Sequence, residues 1–133
     1  MMKKLVAALT PVLLSLMRIV VGFLFMAHGT QKLFGMPVTE PRDPVALMSL
    51  AGAAGVLEVF GGALILVGLF TRPVAFVLSG QMAVAYFMSH GPQGFWPILN
   101  RGELAALYSF VFLYLSAAGG GSLGLDAWFR KVR

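Results

Sequence analysis

Five ionisable side chains stand inside or at the ends of long apolar runs. His28 and Lys32 close the first run, in "MAHGTQKLFG". Glu58 interrupts the second, in "AAGVLEVFGGALIL"; His90 ends the third, and Glu103 opens the fourth. Charged groups in such surroundings are costly and imply function by default. Glu58 is the clearest case. It lies about 11 residues into its run, roughly 16 Å deep at helical rise. Gly55 and Gly62 fall on its face and admit a neighbouring backbone closely. Glu58 therefore points inward, either as a register-fixing ion pair or as a proton acceptor.

His28 and Lys32 share a face with Phe25, at helical spacing. Ser79, Ala83, Tyr86 and His90 form a stripe in the third run. Brought to one level, these residues and Glu103 would wall a polar pocket open to the outer side, with Glu58 beneath. Glu58 and Glu103 are the candidate proton carriers, hence the candidate catalytic pair. Phe25, His28, Lys32, Tyr86 and His90 are the candidate ligand contacts, with Phe25 and Tyr86 flanking a ring. The competing reading is an interfacial Lys32–Glu103 salt bridge with His28 on a backbone carbonyl. Arg18 either snorkels to the inner interface or forms a structural ion pair with Glu58. Two histidines alone are weak evidence for haem. His28, His90 and Glu103 lack the tight spacing of a zinc site, so no metal is expected.

The elements that must position these groups follow from composition. Of 133 residues, 59% are hydrophobic and 11% charged, against about 25% charged in a soluble domain. A chain this short cannot hide that much apolar surface within itself, so lipid is the expected solvent. The formal net charge is +5. The basic residues sit at run ends and termini, which suits anionic head groups and not nucleic acid. The chain has no cysteine, which excludes disulfides and thiolate chemistry. It also shows no phosphate loop, nucleotide fingerprint or nucleophile elbow.

Four apolar segments are read as helices: Val12 to Phe34, Leu47 to Phe70, Pro73 to Ser89 and Leu104 to Ala118. Thr10 and Pro11 mark the start of the first, with residues 1–9 along the inner surface. The opening "MMKKLVAALTPVLL" imitates a secretory signal, but Arg18 breaks its apolar core and no small-x-small site follows, so an uncleaved helix is expected. "GMPVTEPRDP" reads as a loop, "TRP" as a tight turn, and "HGPQGFWPILNRG" as a longer loop with an interfacial aromatic pair. Asp126 is the expected cap of a short surface helix, "AWFRKVR". The fold class is thus all-α: one membrane-embedded antiparallel four-helix bundle over residues 1–133, with short interfacial terminal segments. Lys3, Lys4, Arg72, Arg130, Lys131 and Arg133 share one side; Lys32, Arg42 and Arg101 share the other. The positive-inside rule puts both termini in the cytoplasm of a prokaryotic inner membrane.

"RIVVGFLFMAHGTQKLFG", "LEVFGGALILVGLFTRPVAFVLSGQMAVAYFMSH" and "GFWPILNRGELAALYSFVFLYLSAAGGGSLGLD" together resemble the DoxX family of small four-helix membrane proteins, over nearly all of residues 14–127. The resemblance marks Arg18, His28, Gly29, Lys32, Glu58, His90, Glu103 and Asp126. Where relatives tend to read G-x-W-S-L-D, this chain has "GGGSLGLD", with an extra Gly124. The family implies quinone-linked thiosulfate oxidation in its founding members, and oxidative or thiol-stress roles in others. Three functions follow as expectations: a quinone-linked oxidoreductase subunit, a proton-coupled small-solute permease or channel, and a non-catalytic membrane partner or assembly factor. The first needs quinone and an electron-transfer subunit, because the chain carries no redox centre of its own. The second implies a homo-oligomer, since four helices are few for a carrier.

Overall fold

The computed structural model describes residues 1–38 and 43–133. Arg42, counted above among the outer basic residues, and the middle of the "GMPVTEPRDP" segment lie outside the described residues. The described residues are helical with no strand. The α-helices are α1 (Met2–Phe34), α2 (Leu50–Val67), α3 (Thr71–Ala85), α4 (Pro97–Asn100), α5 (Glu103–Ala118) and α6 (Leu125–Val132). A π-helical turn, Tyr86–His90, and a 3-10 turn, Gly91–Gln93, follow α3.

Among the described residues two helices, α1 and α2, are long and apolar enough to cross a membrane. The first departs from expectation at its start. Pro11 lies inside α1 instead of opening it. Its ring removes one N–H, and the helix continues from Met2, so residues 2–9 extend α1 rather than turning aside. At 33 residues, α1 is roughly 50 Å long, well beyond the ~30 Å of a bilayer core. α1 ends where Gly35 takes a left-handed conformation. Ser49 caps α2 by accepting from the Gly52 N–H at 3.0 Å.

α1 packs chiefly on α2, and α3 on α5. Glycine makes the first contact close. A Cβ at Gly29 would sit 2.6 Å from the Val59 nitrogen, and one at Gly22 2.6 Å from the Leu66 nitrogen. Gly55 and Gly62 present the matching face of α2 to Leu33 and Met26. Serines tie the second pair. Ser79 donates to the Ser109 carbonyl at 2.7 Å, and Ser109 donates back to the Ser79 carbonyl at 3.0 Å. Phe25, Ile65, Leu78, Met82, Tyr108 and Phe112 form the core between the pairs. Outward-facing side chains include Leu16, Val20, Phe23, Phe60, Phe76, Val84, Leu107 and Phe110. Much of the helical exterior is therefore as apolar as the core.

Arg18 is buried at one end of the molecule, 1% exposed. It neither snorkels nor pairs with Glu58. Its guanidinium donates to the carbonyls of Gly120 (2.8 Å), Ile65 (2.7 Å), Leu66 (2.6 Å) and Leu123. The C-terminus of α2 leaves orphan carbonyls, and a planar fork of five N–H donors satisfies several at once. Ser15 completes the lock, donating to the Gly120 carbonyl and accepting from the Leu123 N–H. Asp126 also departs from expectation. It lies in the first turn of α6, yet its carboxylate caps α3, accepting from the Phe70 and Thr71 N–H groups at 2.9 Å each. The reason is local. Gly68 and Phe70 turn left-handed between α2 and α3, so the first donors of α3 need an acceptor, and the tail brings one.

Candidate functional site

The other end of the molecule holds a cavity of about 260 Å³ between the two helix pairs. α1 and α5 meet here through rings: Phe25 contacts Tyr108 edge-on at 5.2 Å and Phe112 at 4.9 Å between centroids. Above those rings the space is open.

α1 supplies Phe25, His28 and Lys32 to the wall; α2 supplies Glu58. Because Gly29 brings the α1 backbone against Gly55 and Glu58, Lys32, three residues further along α1, reaches the carboxylate. Lys32 Nζ lies 2.6 Å from Glu58 Oε1. Glu58 is 2% exposed and the Lys32 side chain 38%, so the pair runs from floor to rim. The Lys32–Glu103 salt bridge of the competing reading does not form; Lys32 pairs with Glu58 instead. α3 supplies Met82 and Ala85, and the following π turn supplies His90. Arg101, Leu104, Ala105 and Tyr108 close the opposite side. The floor is Phe25, Glu58, Met82 and Tyr108, all buried; exposed His28 and Arg101 and half-buried His90 stand at the rim.

Two expected members lie elsewhere. Glu103 opens α5, exposed, beside a separate shallow groove with Pro97, Ile98 and Leu107. There it sits in the first turn of a helix, where a negative charge is favoured. Tyr86, the first residue of the π turn that follows α3, does not line the cavity. Its hydroxyl accepts from Asn100 Nδ2 at 3.2 Å. Asn100 is fully buried, donates also to the Gly94 carbonyl, and accepts from the Gly102 N–H. It thereby holds the whole 91–102 loop. The Asn100 carbonyl lies 3.0 Å from His90 Nδ1. A carbonyl only accepts, so Nδ1 carries a proton and donates it.

Sequence reasoning missed Tyr108, Arg101, Gln81 and Asn100. Gln81 approaches Glu58 Oε1 at 3.5 Å and the Ala54 carbonyl at 3.4 Å. An amide within an apolar run carried the same signal as Glu58. Tyr108 was readable from the buried stripe Ala105, Tyr108, Phe112 and Leu115.

Three buried side-chain atoms around this region have no hydrogen-bond partner among the described residues: Glu58 Oε2, Tyr108 Oη and Gln81 Oε1. The arrangement pairs an aromatic, partly closed floor with a charged rim, and it leaves hydrogen-bonding capacity unused at the bottom.

The family model DoxX matches residues 13–91, more than half of the chain. The chain belongs to the DoxX family. The match covers Arg18, His28, Lys32, Glu58 and His90 of this DoxX chain, and so both helix pairs in part. A Haemophilus influenzae protein described as uncharacterized is 44% identical over 130 residues, covering 91% of this chain and 93% of its own. A Mycobacterium tuberculosis protein described as an uncharacterized membrane protein is 31% identical over 123 residues, covering 80% of this chain and 76% of its own. No solved structure matches.

Proposed function

We propose that this DoxX protein is an integral membrane subunit that binds a quinone head group and serves a membrane oxidoreductase. Membership in the family and likeness to a membrane protein of Mycobacterium tuberculosis support membrane residence, as does the apolar exterior. In this reading α1, α2, α3 with its π extension, and α5 span an inner membrane as an antiparallel four-helix bundle. Both termini are cytoplasmic and the cavity opens outward. α5 has 16 residues, roughly 24 Å at helical rise, and is short for a bilayer core; α4 and the 91–102 loop extend the apolar surface at its start.

The observation that carries the proposal is the makeup of the cavity. Phe25 and Tyr108 offer ring faces and edges to a flat ligand. Lys32 and Arg101 supply cationic donors for a ring oxygen, and Glu58 a buried carboxylate for proton exchange. At about 260 Å³ the space lies just under the ~300–1,000 Å³ of drug-sized pockets and suits a single small ring whose tail leaves between helices. The chain would supply binding and a proton path, while electrons pass to a separate subunit.

The test is extraction. Protein purified in mild detergent is extracted with organic solvent and its quinone measured against protein, with Phe25→Ala as the comparison. Near-stoichiometric quinone in wild type, lost in the variant, is the expected result. No retained quinone, with no saturable binding of a short-tailed quinone, rejects the proposal.

A proton-coupled permease is the second reading, favoured by Glu58 and Lys32 pairing within the apolar region. Solute uptake into proteoliposomes, abolished by Glu58→Gln without bound quinone, would select it.

A further inference from the structure

The polarity of the cavity floor specifies which form of ligand it accepts. Glu58 pairs with Lys32 through Oε1 at 2.6 Å. Its second oxygen, Oε2, is buried and bonded to nothing among the described residues. A carboxylate oxygen only accepts hydrogen bonds. Tyr108 Oη, the other floor atom without a partner, donates one hydrogen bond and accepts others. Both side chains line the same cavity, and both are more than nine-tenths buried. An unsatisfied buried acceptor is expensive. A ligand carbonyl placed there would add a second set of lone pairs facing Oε2, whereas a hydroxyl would give Oε2 its missing donor and still accept from Tyr108. At the rim the requirement reverses. Lys32 has N–H groups beyond the one used on Glu58, and Arg101 adds more; both ask for an oxygen acceptor, which a hydroxyl or a carbonyl equally provides.

We propose that the cavity selects the reduced, dihydroxy form of its ring ligand over the oxidised dicarbonyl form, with the inner hydroxyl donating to Glu58 Oε2 and accepting from Tyr108 Oη. This rests on the quinone-binding reading above and adds the redox state of the bound species. Binding alone is specified; no electron transfer occurs within this chain. The preference makes the site a place where the reduced ring is held with its inner hydroxyl hydrogen-bonded to a buried carboxylate.

The experiment measures binding to the full chain in lipid nanodiscs by calorimetry, under argon. Three probes of one ring are compared: a short-tailed benzoquinone, its dihydroxy reduced form, and the dimethyl ether of the reduced form. The reduced form should bind about tenfold or more tightly than either of the others, the scale of one unsatisfied buried acceptor. The ether keeps the ring and its size but has no donor, so it tests the idea in the unaltered protein. Glu58→Gln places an amide at the floor and should bring the reduced-to-oxidised ratio within about twofold; Tyr108→Phe should weaken both forms together. Equal or tighter binding of the oxidised form or the ether overturns this inference while leaving the quinone reading intact. A preference unchanged in Glu58→Gln also overturns it. No saturable binding of any probe overturns both.

Discussion

Lys32 and Glu58 join α1 to α2 through a single 2.6 Å ion pair whose two ends differ in exposure: the carboxylate is 2% exposed and the ammonium side chain 38%. The pair is thus a buried anion reached by a cation from the rim. Removing the cation strands the anion. A fully buried pair broken this way costs roughly 3–5 kcal/mol. With one partner over a third exposed, about 2 kcal/mol is expected for Lys32→Met. Lys32→Met with Glu58→Leu should recover most of the loss, since both charges then go. Thermal unfolding of the single and double variants in micelles checks this. Equal and additive losses would mean that the pair does not couple the helices.

The Lys32–Glu58 pair exists because α1 and α2 approach closely at Gly29. A Cβ there would lie 2.6 Å from the Val59 nitrogen and 2.8 Å from Glu58 Cβ. Backbone cannot step aside as a flexible side chain can. Gly29→Ala should cost about 1–3 kcal/mol, the range of overpacked cores, and should lengthen the Lys32–Glu58 contact. Gly80→Ala is the control. It lies in α3 with nothing within 4 Å of its added Cβ, so the better helix former should be neutral or stabilise by up to ~1 kcal/mol. Paired unfolding curves read the contrast; a neutral Gly29→Ala would show that the helices separate without cost.

What the residue pattern discloses by itself is the inward face of each long helix. Gly55, Glu58 and Gly62 share a face by simple periodicity, and His28 and Lys32 follow Phe25 on theirs; the cavity gathers Phe25, His28, Lys32, Glu58 and His90. What periodicity could not give was any departure from the α period or any contact made by the tail. Tyr86 stands outside the cavity at the start of a π turn that no spacing rule announces, its hydroxyl bonded to Asn100. Glu103 is the first residue of α5, where a shift of register between loop and helix decides inside from outside. Local capping rules assign Asp126 to its own helix, but its acceptors serve Phe70 and Thr71 from more than fifty residues away. The Arg18 site is invisible for the same reason: backbone carbonyls have no letter in a sequence.

Arg18 should tolerate no substitute. Its donors reach four carbonyls from two separate segments, Ile65 and Leu66 at the end of α2 and Gly120 and Leu123 in the tail. Lysine brings charge but only three donors from one point, and cannot span both segments. Hydrogen bonds to charged groups contribute about 1.5–3 kcal/mol each, so Arg18→Lys should cost about 3 kcal/mol and Arg18→Met more. Loss should concentrate in the tail. Hydrogen exchange at the amides of Ser122, Leu123 and Asp126, which bond to Pro11, Ser15 and Gly68, should speed up about tenfold or more, while amides in mid-α2 change little. Uniform acceleration across the chain would instead assign Arg18 to global stability.

Asp126 gives the acid limit of that tail. Burial pushes its carboxyl up; the Thr71 and Phe70 N–H groups and the Arg130 charge pull it down, and the pull prevails, leaving it below its ordinary value of 3.8. A folded-state value lower than the unfolded one means that the unfolded chain binds the proton more readily. The stabilisation is therefore complete above the ordinary carboxylate range and is lost as pH falls below 3.8 through the lower folded value. Asp126→Ala removes both acceptors from the start of α3 and should cost about 1 kcal/mol at neutral pH, the usual value of a helix cap. Asp126→Asn keeps one acceptor, so its loss should be smaller and should not grow on acidification. The difference in unfolding temperature between wild type and Asp126→Asn should accordingly shrink as the buffer goes from pH 7 to pH values below 3.8. A difference that stays constant over that interval would mean that the Asp126 charge contributes nothing to holding the tail on α3.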